Sequence, residues 1–82
     1  MTLVNTTLSS LDRAYISHMF RKFGISYNMV YVSTVRRKCI DIDINDIKKM
    51  IELYDERLAN NYNANYVTTR KRWIKIYNEL RG

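Results

Sequence analysis

Two glycines and no proline leave this chain few places to break regular structure, and only one glycine is internal. That residue, Gly24, lies in the run YISHMFRKFGISYNMVYVSTVRRK of residues 15–38. Before it, Leu11, Tyr15, Ile16, Met19, Phe20 and Phe23 recur at helical spacing and form a broad apolar stripe. Arg13, Ser17, Arg21 and Lys22 fall mostly off that stripe. Residues 6–10 offer several N-caps, and Asp12 suits a first turn, where negative charge meets the helix dipole. Gly24 follows the last apolar residue, where a left-handed C′ position is cheap for glycine alone. A first helix is predicted over about 10–23.

After the glycine two readings compete. Ser26 can cap a second helix by accepting the backbone N–H of Met29 or Val30. Residues 29–35, MVYVSTV, are rich in β-branched side chains of low helix propensity. As a strand they set Met29, Tyr31, Ser33 and Val35 on one face; as a helix, Val30, Ser33 or Thr34, and Arg37 share one side. Tertiary packing routinely overrides weak propensity, and a helix over 27–37 is the preferred reading.

Further on, residues 39–44 alternate apolar and acidic side chains, the pattern of a short extended segment. Asp43 or Asn45 then caps a helix over about 45–59, whose stripe is Ile47, Met50, Ile51, Tyr54 and Leu58. Residues 60–66 read as a polar, Asn-rich connection. A last helix over about 69–80, capped by Thr68 or Thr69, puts Trp73, Ile74, Tyr77 and Leu80 on its apolar side. The expected fold is therefore all-α: a single helical domain over 1–82 with about four helices.

A chain of 82 residues has a thin core and often needs a disulfide, a metal or a partner subunit. Cys39 is the only cysteine and His18 the only histidine, so an internal disulfide and a closed zinc site are both out of reach. Self-association, as a dimer, is the remaining device. No apolar run approaches the roughly 20 residues that span a bilayer. The N-terminal residues lack a charged and an apolar signal region, so neither export nor a membrane role is expected. One free thiol favours a reducing cytoplasm. Abundant Ile, Asn, Tyr and Lys are the usage of an AT-rich genome, and with the short length they fit a phage or mobile element.

The net charge of +6 favours a polyanionic partner, and its distribution is uneven. Residues 1–38 set Arg13, Arg21, Lys22, Arg36, Arg37 and Lys38 against Asp12 alone. Residues 39–69 carry twice as many acids as cations. Residues 70–82 set Arg70, Lys71, Arg72, Lys75 and Arg81 against Glu79. Phosphate can therefore be met by either end of the chain, and poorly by its middle.

No enzymatic activity, cofactor or metal is expected. His18 has no Cys or carboxylate at a useful spacing, Cys39 reads as a small buried apolar residue, and Asp41 with Asp43 is a common solvated pattern. Nor is there a Gly-rich phosphate loop.

Gly24, Ile25 and Ser26, with Val30 four positions after the serine, carry a family likeness. Residues 16–38 resemble the helix-turn-helix of small phage repressor-like regulators, in which glycine opens the turn and Ser or Thr begins the recognition helix. The chain departs from that pattern at Phe20, where the family has a small residue, and at Ser33, where it has an apolar one. The resemblance implies a DNA-binding regulator with its helix-turn-helix at about 10–38. Tyr27, Asn28, Tyr31 and Thr34 would then face the groove, Asn28 making a bidentate contact to adenine. Ser26 and Tyr27 would meet phosphate at a helix N-terminus, and Arg36, Arg37 and Lys38 would neutralise further phosphates. Arg70, Lys71, Arg72 and Lys75 form a secondary basic patch, whose cations in a first helical turn would oppose the dipole.

Double-stranded DNA is the expected partner. The competing class is a small viral interaction module that binds a host protein or a virion component, for which seven Tyr and one Trp are apt. A third class binds single strands by stacking bases on Tyr27, Tyr31, Tyr62 or Tyr66.

Overall fold

The computed structural model describes residues 2–81. In chain order these form β1 (Thr2–Asn5), α1 (Ser10–Phe23), β2 (Asn28–Val32), β3 (Arg37–Asp43), α2 (Ile44–Asn60) and α3 (Ala64–Arg81). The architecture is α+β, not all-α, and the expected second helix over 27–37 is absent. Contacts divide the chain into two compact units, Met1–Asp43 and Ile44–Gly82.

In the first unit, β1, β3 and β2 form an antiparallel sheet in that order, with β3 central. The alternating residues lie in β3 as far as Asp43, with Ile44 opening α2, and that strand explains the correction at 27–37. A β-branched run has weak intrinsic helicity, and here β3 offers it a complete backbone partner five residues away. Asn28, Met29, Val30, Tyr31 and Val32 pair with Asp41, Ile40, Cys39, Lys38 and Arg37 respectively. A four-residue loop closes the hairpin, with the Val35 N–H donating to the Val32 carbonyl at 3.3 Å. Arg36 then takes a left-handed φ of 53°, the turn-plus-left-handed pattern common in loops of this length. Ser26 lies in the link between α1 and β2 and caps no helix.

The predicted helix at 10–23 is present with those bounds. Ser9 caps it, its Oγ accepting from the Asp12 N–H at 3.2 Å. Gly24 ends it at φ 71° and ψ 25°. There the Ile25 N–H donates to the Phe20 carbonyl at 2.8 Å and the Gly24 N–H to that of Arg21 at 3.4 Å, the paired bonds of a Schellman end. A Cβ built on Gly24 would meet nothing within 4 Å, so the cost of a side chain there is backbone strain alone. Gly24→Ala is therefore expected to destabilise the protein by about 1–2 kcal/mol. Urea denaturation followed by circular dichroism checks this; an unchanged midpoint would contradict it.

Asn5 organises the link from β1 to α1: its Oδ1 accepts from the N–H groups of Thr7 (2.9 Å) and Leu8 (2.8 Å). Among the described residues of this unit, Leu8, Ile16, Met19, Phe20, Cys39, Ile40 and Ile42 are buried.

The second unit is a helical hairpin. α2 buries Ile47, Met50 and Tyr54 at spacings of three and four, as its stripe predicts. α3 begins five residues earlier than expected, because Asn63 caps it. The Asn63 side chain accepts from the Asn65 N–H at 2.8 Å, and its carbonyl accepts from Tyr66 and Val67. The buried residues of α3 are Trp73 and Ile76, the latter missing from the predicted stripe. Tyr66 extends the apolar side by a turn and meets Tyr54 edge to face, with ring centroids 5.7 Å apart.

Candidate functional site: a basic β-hairpin

The sequence-predicted DNA-contacting residues converge on the β2–β3 hairpin instead of on a helix. Asn28 opens β2 opposite Asp41; Tyr31 lies opposite Lys38, and Val32 opposite Arg37. Partners across an antiparallel ladder share a face. Tyr31 and Lys38 therefore stand together on one face of the ribbon, and Asn28, Val32 and Arg37 stand on the other. Thr34 and Arg36 occupy the connecting loop. Ser26, Asn28, Tyr31, Thr34, Arg36, Arg37 and Lys38 are all exposed, Tyr31 to 62%.

Two of the predicted residues change role. Tyr27 is half-buried: its hydroxyl hydrogen-bonds the Ser17 hydroxyl of α1, and its ring meets Phe20 edge to face at 6.2 Å. It anchors the start of β2 to α1 and does not project outward. Ser26 is exposed but has no helix N-terminus behind it, so the phosphate site expected there is lost. Arg37 acquires a second task, donating from its guanidinium to the Thr6 carbonyl at 2.5 Å and tying the base of the loop to the β1–α1 link. Arg36 and Lys38 are the two loop-end cations without such a tether.

Between Asp12 and Asp41 the sequence has no acidic residue. The hairpin tip therefore concentrates positive charge with no acid of its own segment to offset it. The acids of the sheet, Asp41 and Asp43, lie at the far end of β3 from the loop.

The secondary patch is rearranged. Because α3 starts at Ala64, Arg70, Lys71, Arg72 and Lys75 lie in the helix interior and not in its first turn, which removes the predicted conflict with the dipole. Arg70 forms an ion pair with Asp55 of α2, whereas Lys71, Arg72 and Lys75 are exposed. Nearby, the Arg57 guanidinium stands over the rings of Tyr54 and Tyr66 at 5.4 and 5.6 Å. Burial holds the Tyr54 hydroxyl above its ordinary pKa, with Arg57 pulling the other way, so it stays a neutral phenol near neutral pH.

His18 is exposed on α1, and Cys39 is fully buried in β3. Among the described residues no three His, Cys, Asp or Glu side chains gather as a metal site, and no helix is long and apolar enough to cross a membrane. Comparison of the chain with protein-family models, curated proteins and solved structures finds no match in any of the three.

Proposed function

We propose that the chain is a DNA-binding protein that uses the β2–β3 hairpin as a two-stranded recognition ribbon. The observation that carries this reading is the exposed hairpin end with Arg36, Arg37 and Lys38 in succession and Tyr31 and Asn28 exposed on its strands. The major groove of B-DNA is about 12 Å wide and admits a two-stranded β-ribbon as readily as a helix. Phosphates flanking the groove take the loop-end cations, which position the ribbon without reading sequence. Asn28, on the face it shares with Val32 and Arg37, supplies the group that reads base edges, by a bidentate contact to adenine, while Tyr31 stands on the opposite face. In biological terms this is a regulator of a phage or mobile element acting in the cytoplasm of its host.

Fluorescence anisotropy with a labelled duplex tests the proposal. About three phosphate contacts give a slope of log affinity against log salt near −2.7. Duplex should bind more tightly than a single strand of equal length. Equal or tighter single-strand binding would transfer the hairpin to base stacking on Tyr31. No binding at about 50 mM salt would remove the nucleic-acid reading altogether.

A further inference from the structure

We infer that the open edge of β2 docks a second copy of this chain, antiparallel and strand to strand, about a two-fold axis at Val30. This inference concerns the chain alone and does not rest on the nucleic-acid reading. In the order β1-β3-β2, β2 has a sheet neighbour on one side only. Soluble proteins usually blunt such an edge with Lys, Pro, a bulge or an inward-pointing charge. β2 reads NMVYV and pairs with β3 through five consecutive positions without a bulge, so it has none of these devices. Instead it exposes Met29 (44%), Val30 (37%) and Tyr31 (62%).

The edge is self-complementary. Antiparallel pairing about Val30 sets Val30 against Val30 of the second copy, and Met29 against Tyr31 twice over. Aliphatic and aromatic–aliphatic cross-strand pairs are the favourable kind, and a two-fold axis makes each contact count twice.

Charge selects the orientation. Arg36, Arg37 and Lys38 lie at one end of the sheet, Asp41 and Asp43 at the other. Antiparallel docking brings the basic tip of each copy beside the acidic end of its mate. Asn28 pairs with Asp41, and in the new ladder Asn28 of the second copy faces Val32, so Asp41 of the second copy lies level with the Val32–Arg37 pair, about three strand spacings or roughly 14 Å from Arg37. Parallel docking would instead crowd both basic tips together at one end.

Sedimentation equilibrium on nuclease-treated protein tests this. Twice the chain mass of 9.9 kDa is expected at about 100 µM. Val30→Lys puts two ammonium groups face to face at the axis and is expected to weaken association at least tenfold, with an unchanged circular dichroism spectrum. A wild-type protein monomeric at every concentration up to about 1 mM overturns the inference, including the case in which the edge accepts a strand from a different protein. Undiminished dimerisation of a folded Val30→Lys variant overturns it too. Should that variant not fold, Tyr31→Lys decides, at a position 62% exposed in the single chain and set against Met29 of the second copy. It should weaken association at least tenfold, whereas undiminished dimerisation of the folded variant overturns the inference.

Discussion

Phe20→Ala is expected to cost about 3–5 kcal/mol, the range for removing a fully buried aromatic ring. The total stability of an 82-residue chain is on the order of 4–12 kcal/mol, so this one change leaves the fold marginal or lost. Phe20 is 0% exposed, its ring meets Tyr27, and its carbonyl accepts the Ile25 N–H that closes α1. Alanine keeps that carbonyl but leaves a cavity, and it removes the wall against which Tyr27 sets the start of β2. Phe20→Leu refills most of the volume and should cost less than half as much. Leu11→Ala, at a residue 77% exposed on the same helix, should stay within about 0.5 kcal/mol. Urea titrations of the three variants by far-UV circular dichroism read this order directly. A Phe20→Ala cost no larger than that of Leu11→Ala would falsify the placement of the ring in the core.

Phe20 also shows why the fold is only partly legible in the sequence. In a helix-turn-helix that position is small so that two helices can approach. Here the element directly after α1 is a strand, β2, and the large ring packs beside Tyr27. Ser33, the other departure from the pattern, is an exposed residue of the hairpin loop. Both mismatches therefore mark the missing second helix. Gly24 misleads because its chemistry is common to both outcomes: a Schellman end stops a helix and says nothing of the segment beyond it. The conformation of that segment depends on a partner strand, and the pairing of β2 with residues 37–41 is not written in either strand alone. β1 is equally silent in the sequence, since four residues with only two apolar side chains have no periodic signal. α1 and α2 are readable because a stripe and its caps lie within one segment. In α3 the early start is readable in principle, Asn63 being a good N-cap followed by Ala64, Tyr66 and Val67.

The candidate site is legible in its residues and not in its scaffold. Charge is a property of the sequence, so the cations of the hairpin end stand out whatever backbone carries them. Direction is a property of the backbone. Tyr27, expected to point at a groove, turns inward to Ser17 once the segment becomes a strand. The same change gives Arg37 its carbonyl partner in Thr6, 31 residues away in sequence, a contact that no local pattern announces.

Arg36→Ala/Lys38→Ala is the sharpest test of the proposed ribbon, because both cations are exposed and neither has the structural tether that Arg37 has. Each phosphate contact adds about 0.9 to the slope of log affinity against log salt, so removing two should flatten it by about 1.8. Extrapolated from 1 M, where counterion release vanishes, the same two contacts are worth roughly 60-fold in duplex affinity at 0.1 M salt. The loss should be uniform across duplex sequences, since phosphates carry no sequence information. Asn28→Ala should behave oppositely, leaving the slope alone and losing about 1–3 kcal/mol of preference for adenine-containing sites. Lys71→Ala/Lys75→Ala removes the same amount of charge from an exposed face of α3. If net charge alone attracts DNA, the two double variants weaken binding equally. If the hairpin makes the contacts, the α3 variant changes affinity by less than about threefold and keeps the wild-type slope. Equal losses would leave a basic protein with a general affinity for polyanions and no recognition ribbon.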